Sequence, residues 1–168
     1  NAVYTRALAL CQGVNRVQRA ASAMGTAVHA LLLEEDRELV VKGPKTKKSK
    51  AFEEMQSSLQ QDQVLLTEVE YNVANRIAKG ALENENCKKV LRHKDRKNEV
   101  SIFIQDPRSG LMLKTRPDLY IESENTVYDV KTTLDASPAG FSKECFRYAY
   151  DLQSAFYVYV CNLAGLDI

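Results

Sequence analysis

Apolar residues recur at helical intervals near the start of the chain. Val14, Val17, Ala20, Ala21, Met24, Val28, Leu31 and Leu32 form one stripe and predict a helix over roughly residues 14–35. Residues 36–50 read as a basic, flexible connector. From Ala51 to Val90 the pattern is helical again, in pieces near 51–59, 64–79 and 81–91, with Gly80 separating the last two. The spacing then changes to strand-like alternation at about 98–105, 111–121 and 126–133. Asp106 to Gly110 supply the first turn, and Glu122-Ser123-Glu124-Asn125 the second. Pro138 and Gly140 mark a loop before a long helix from about Ser142 to Leu163. The order predicts a mixed α/β domain over 1–168, with a helical part at 1–91 and a sheet and helix at 98–163. Its sheet is an antiparallel three-stranded meander flanked by helices.

The second turn fixes a register with chemical consequences. If Ser123-Glu124 is the hairpin turn, Glu122 pairs with Asn125, and counting back sets Asp118 directly opposite Asp129. Alternation puts Asp118, Asp129 and Lys131 on one face and turns the Val130 side chain away. Two bare carboxylates about 5 Å apart repel by roughly 3 kcal/mol at an effective dielectric of about 20. A divalent cation reverses that sign, and carboxylate oxygens suit Mg²⁺ or Mn²⁺. Strand carboxylates are more often plain surface charges. Here, however, two occupy strand centres, where Asp is depleted.

Net charge is +1, so no global field points to nucleic acid, yet the positive charge is clustered. Lys42, Lys45, Lys47, Lys48 and Lys50 crowd one segment; Lys88, Lys89, Arg92, His93, Lys94, Arg96 and Lys97 crowd another. Such runs are either solvated loops or contacts to a phosphate backbone. The first set, with Lys45, Lys47 and Lys48 around Gly43-Pro44, has no apolar residue to anchor it and is expected to meet DNA from a mobile loop. Four scattered cysteines argue for reduced thiols in a cytoplasmic protein and against zinc or an iron–sulfur cluster. No apolar run reaches membrane-spanning length. The chain opens on Asn1 without an initiator Met, as expected of a piece of a longer protein.

Other residues admit two readings each. On a helix, His29 has Gly25 and Thr26 on one side and Leu32 and Leu33 on the other. It is either a hydrogen-bonded core residue or a metal ligand. Gln153 and Tyr157 stand one turn apart, with Tyr150 on the same stripe. The tyrosines suit a packed core, but a buried glutamine needs polar partners. Glu99 is either a third carboxylate for a metal or a strand-end surface charge.

Taken together, Gly25-Thr26-Ala27-Val28-His29, Glu99, Arg116-Pro117-Asp118, Asp129-Val130-Lys131-Thr132-Thr133 and Gln153-x3-Tyr157 resemble the PD-(D/E)XK nucleases. Within these the set is most similar to the exonuclease VIII (RecE-type) prophage 5′→3′ exonucleases, relatives of RecB-type nucleases and lambda exonuclease. The resemblance runs from about residue 20 to 160. It implies a restriction-endonuclease-like core with one more strand after the Gln153-x3-Tyr157 helix, expected to begin where the chain reaches Leu166-Asp167-Ile168.

The resemblance further implies a Mg²⁺-dependent exonuclease, with Mn²⁺ able to substitute. The ligands would be His29, Asp118, Asp129 and the Val130 carbonyl, with Glu99 matching less securely. Lys131 would activate water or stabilise phosphate charge, oriented by Gln153 and Tyr157, and Arg116 and Thr132 would join the lysines in holding DNA. Implied partners are duplex DNA ends, further copies in a ring-shaped homo-oligomer, and a single-strand annealing protein of the same phage-type recombination system. A restriction-type or structure-specific endonuclease on this fold is an alternative, as is a catalytically silent DNA-binding module. No cysteine cluster follows Gln153, which excludes the iron–sulfur relatives.

Overall fold

The computed structural model describes residues 20–34 and 37–168. Helix α1 spans Ala20–Leu33, so the Val14 and Val17 end of the predicted stretch, like Cys11, lies outside the described residues. Ala27, Val28, Ala30, Leu32 and Leu33 are buried along it. A 3₁₀ turn at Arg37–Leu39 leads into strand β1, Val40–Lys42. Helix α2, Lys50–Ser57, follows with its N-cap at Ser49, whose hydroxyl accepts from the Phe52 amide. Strand β2, Val64–Leu66, pairs parallel with β1 in the register Val40 to Val64. A parallel pair needs a long crossover, and α2 with its flanking turns supplies it.

Two expectations fall here. The segment 36–50 is not a free connector, because it contains β1 and is tied onward by hydrogen bonds from the Gly43 amide to the Leu66 carbonyl and from the Glu68 amide to the Pro44 carbonyl. Val64, Leu65 and Leu66 form a strand, with Leu65 and Leu66 buried, instead of the start of a helix. Helix α3 begins after them, at Glu68–Glu83, because Thr67 and Glu70 close a reciprocal capping box. Gly80 does not break it. That position is open, with nothing near a built Cβ, and an exposed helical glycine costs only about 1 kcal/mol against alanine. The break comes at Asn84, which ends α3 and caps α4, Glu85–Leu91, by accepting from the Asn86 and Cys87 amides.

The α1 and α3 helices pack together, and the alanines buried on both, Ala27, Ala30, Ala74 and Ala78, permit close approach. Leu33, Val40, Leu66, Leu91 and Leu119 complete one hydrophobic cluster drawn from both halves of the chain. Burying each such leucine contributes about 1.5–3 kcal/mol.

The predicted meander forms as two separate sheets. Strands β3 (Arg96–Asn98), β6 (Leu119–Ile121) and β7 (Thr126–Tyr128) make a three-stranded antiparallel sheet in the order β3-β6-β7. Strands β4 (Ile102–Gln105) and β5 (Met112–Thr115) make a hairpin of their own. Two residues cut the long strands. Pro117 has no amide to give the ladder, and Glu99 has φ 49°, a left-handed conformation unsuited to a strand. Asn98 donates to the Leu33 carbonyl, tying β3 to the end of α1. The hairpin turn holds Asp106, whose carboxylate accepts from the Arg108 and Ser109 amides.

The predicted helix at 142–163 is also two. Helix α5, Pro138–Tyr148, starts earlier than expected, with Ser137 as N-cap and Pro138 in the first turn. Helix α6, Tyr150–Leu163, follows Ala149, which sits at φ 56°. A left-handed alanine costs about 1–2 kcal/mol, and it redirects the chain between the two helices. Among the described residues no helix is long and apolar enough to cross a membrane, and Cys87, Cys145 and Cys161 are free thiols.

Candidate active site

The β6–β7 pairing follows the register predicted from the turn. Leu119 faces Tyr128 and Ile121 faces Thr126, so the next pair beyond the ladder is Asp118 with Asp129. The turn itself is a 3₁₀ segment at Glu122–Glu124 ending on left-handed Asn125. It spans the same residues and so preserves the count. Strand β7 stops at Tyr128, short of the predicted Thr133. The Val130 amide explains this, because it donates to Asp118 Oδ2 at 2.6 Å instead of to a backbone carbonyl.

Two helices converge on this carboxylate pair. From α1, His29 Nε2 lies 2.8 Å from the Val130 carbonyl and Nδ1 lies 3.6 Å from Asp118 Oδ1. Nε2 donates to the carbonyl, and Nδ1 faces the Asp118 carboxylate. Gly25, one turn earlier on the same helix, faces Thr132. A Cβ there would stand 3.4 Å from Thr132 Oγ1. From α6, the Gln153 amide donates to Tyr157 Oη at 2.8 Å, and Tyr157 Oη donates to Asp129 Oδ1 at 3.0 Å. The Arg116 carbonyl, 3.5 Å from the same hydroxyl, is the weaker claimant for its single proton.

The electrostatics suit a site that waits for positive charge. Burial lifts the Asp118 carboxyl above the usual carboxylate range and the Asp129 charge adds to the effect, opposed by the Val130 amide, His29 and Lys131. Burial and the Asp129 charge hold the Tyr157 phenol well above its ordinary range, so it remains a donor at any working pH. Asp129 Oδ2 is buried and accepts no hydrogen bond of ordinary geometry; the Lys131 ammonium is set against it as an ion pair.

A family profile described as a PDDEXK-like domain of unknown function (DUF3799) matches residues 4–164. The chain belongs to this family. No curated protein matches it. PDDEXK-like domains are allied to nucleases, which typically use divalent metals, and the mixed helices and antiparallel strands agree with such a fold. Pro117-Asp118 and Asp129-Val130-Lys131 supply the residue types for which the superfamily is named.

The residues present fit a hard divalent cation in kind. Two carboxylates, an imidazole and a backbone carbonyl converge, and one carboxyl is destabilised as an anion by burial. The side chains are drawn onto one another: His29 onto Val130, and Lys131 onto Asp129. Accordingly, among the described residues no group of three or more His, Cys, Asp or Glu stands ready to hold an ion without rearrangement.

The other predicted residues are placed differently. Glu99 pairs its carboxylate with Arg116 Nη1 at 3.1 Å, while its amide donates to the Asp118 carbonyl at 3.0 Å. It is therefore committed to Arg116, not free as a third ligand, and Arg116 is committed to it. Lys47 pairs with Glu70 Oε1 at 2.7 Å and Lys42 with Glu68 at 2.8 Å. Lys47 thus braces the cap of α3 and does not extend from a mobile loop; Lys45 and Lys48 remain exposed.

Tyr150 is the residue whose part the sequence pattern missed. Lys131 Nζ lies 4.9 Å from the centre of its ring. The signal was its position one turn before Gln153, which also fits ordinary packing.

Proposed function

We propose that this PDDEXK-like domain is a Mg²⁺-dependent deoxyribonuclease that hydrolyses phosphodiester bonds from duplex DNA ends. The observation that carries the reading is the convergence of Asp118, Asp129 and Lys131 with His29 and the Gln153–Tyr157 pair at one end of β6 and β7. Asp118, Asp129, His29 and the Val130 carbonyl would hold the cation. When bound, it supplies Lewis-acid stabilisation of phosphate charge and a more acidic water.

The chain's own residues do the rest. The Lys131 ammonium lies between the Asp129 carboxylate and the face of Tyr150, a point cation beside the position a phosphate would take. Tyr157 steadies Asp129 through its hydroxyl, and Gln153 steadies Tyr157. The Val130 amide fixes Asp118, so both carboxylates are oriented before substrate arrives. Preference for ends, 5′→3′ polarity and a place in phage-type recombination rest on the resemblance of these motifs to the exonuclease VIII group.

Linear duplexes labelled at the 5′ or the 3′ end, with covalently closed circles as a control, test this in Mg²⁺ and in EDTA. The expected result is Mg²⁺-dependent release of the 5′ label from linear DNA, with circles intact. Cleavage of closed circles would mark an endonuclease, and no cleavage of any DNA would leave a binding module.

A further inference from the structure

We propose that Tyr148, with Tyr150 and Phe141 behind it, is a stacking platform for an unpaired base of the DNA strand whose phosphate lies at Lys131. This rests on the nuclease reading above and names its substrate more narrowly, as a strand with an unpaired end.

The platform follows from one backbone feature. Left-handed Ala149 separates α5 from α6 and brings the residues on either side of it together. The Tyr148 and Tyr150 rings stack with centroids 5.8 Å apart and 24° between planes, and Phe141 leans on Tyr150 at 6.3 Å and 34°. Aromatic pairs favour such offset arrangements. At its inner end the cluster meets Lys131, 4.9 Å from the Tyr150 ring. At its outer end Tyr148 is 45% and Phe141 40% exposed. The Arg147 guanidinium lies over the Tyr148 ring, 5.4 Å from its centre, so a base stacks there as this flexible side chain swings aside towards the strand's phosphate. An aromatic ladder thus runs from a lysine of the candidate active site to solvent, with a cation at each end.

That combination matches single-stranded nucleic acid in two respects. Bases stack on exposed aromatic rings whatever their sequence, and flanking cations meet the phosphates. The steps of 4.9 and 5.8 Å keep Tyr148 within roughly three nucleotides of a phosphate at Lys131, at about 3.4 Å per stacked nucleotide. Inside a duplex both faces of every base are already covered. An aromatic platform beside the site therefore selects bases freed at a frayed or overhanging end.

The test reads binding in EDTA, so its outcome is independent of hydrolysis. Fluorescence anisotropy compares a single-stranded oligonucleotide with a fully paired hairpin closed by a loop of abasic residues. Tyr148→Ala should bind the single strand roughly 5- to 100-fold more weakly, with hairpin affinity unchanged, and Tyr148→Phe should restore single-strand binding. With wild-type protein, a terminal 2-aminopurine should lose fluorescence on binding, which keeps the test decisive if Tyr148→Ala fails to fold. Unchanged affinity in Tyr148→Ala, equal losses on both DNAs, or absence of 2-aminopurine quenching would overturn the proposal. So would self-association of wild-type protein that Tyr148→Ala abolishes with oligonucleotide binding intact, since the aromatic face would then be a contact between copies. Intact Tyr148-dependent binding in a protein that hydrolyses no DNA would contradict only the nuclease reading.

Discussion

His29 and Val130, 101 positions apart in the chain, meet through a 2.8 Å contact between the imidazole Nε2 and the peptide carbonyl. This contact closes α1 over the end of β7 and leaves Nδ1 facing Asp118. Because His29 packs against Val130 and in the proposed function would also hold the cation, His29→Ala should show two separable effects. Metal-free protein should lose about 1 kcal/mol from the broken hydrogen bond. The Mg²⁺ concentration for half-maximal cleavage should rise at least roughly tenfold, comparable to loss of a group supporting a metal site. Thermal melts in EDTA and a Mg²⁺ titration of cleavage measure these separately. A normal Mg²⁺ titration in a destabilised variant would return His29 to a purely structural part.

Asp118 gives a pH dependence with a definite sign. Its carboxyl is raised in the folded protein, chiefly by burial, so the native state binds its proton more tightly than the unfolded chain does. Stability from this group is present at low pH and is lost as pH rises from the ordinary carboxylate value through the raised one. Asp118→Asn keeps an acceptor for the Val130 amide and removes the charge. Without metal it should melt at or above the wild-type temperature at neutral pH, with the advantage vanishing in acid, while cleavage is abolished. A lower melting temperature at neutral pH would contradict this assignment.

How legible all this was in the sequence differs from residue to residue. The Asp118–Asp129 register could be counted because a polar turn between two apolar strands fixes it, whatever shape the turn takes. The breaks at Glu99, Ala149 and Asn84 could not. A left-handed Glu or Ala carries no local signal, and Gly80 offered a more obvious but false one. The Lys47–Glu70 pair joins residues 23 apart whose meeting depends on β1 and β2 lying side by side. Lysines that looked free in the sequence were therefore already neutralised by tertiary contacts.

Tyr150 is expected to act through its ring and not its hydroxyl. Losing a cation–π contact worth about 0.5–2 kcal/mol corresponds to roughly a 2- to 30-fold fall in kcat. Tyr150→Leu should show that fall, and Tyr150→Phe should restore the wild-type rate. Equal defects in both variants would point instead to the phenol oxygen.

The β4–β5 hairpin is docked by Tyr159 of α6, whose hydroxyl donates to Asp106 Oδ1 at 2.6 Å. The Ser109 and Tyr159 hydroxyls hold the Asp106 carboxyl down to about 2. Its contribution to stability is complete above the unfolded carboxylate value near about 4 and is lost as pH falls towards 2. Asp106→Asn should therefore melt lower than wild type at neutral pH, with the difference shrinking below pH ~4. A difference independent of pH would mean that packing, not charge, holds the hairpin.

Among the basic residues the ion pairs separate two classes. Neutralising Lys45 and Lys48 together should reduce the salt slope of DNA binding by up to about two units and leave stability untouched. Lys47→Ala should act on α3 through Glu70, costing at most about 1 kcal/mol for a half-exposed pair. An unchanged salt slope in the Lys45/Lys48 variant would move the DNA grip to the Lys88–Lys97 run.

The most direct measurement is hydrolysis of a linear duplex in Mg²⁺ by wild-type protein beside Asp129→Ala and Lys131→Ala, each shown by melting to be folded. Asp129 meets Lys131 and Tyr157 at once and in the proposed function would also hold the cation, so its carboxylate would have no substitute in the site. The account predicts Mg²⁺-dependent release of nucleotides by wild type, none in EDTA, and none from either variant. Substantial Mg²⁺-dependent hydrolysis by folded Asp129→Ala protein would contradict it.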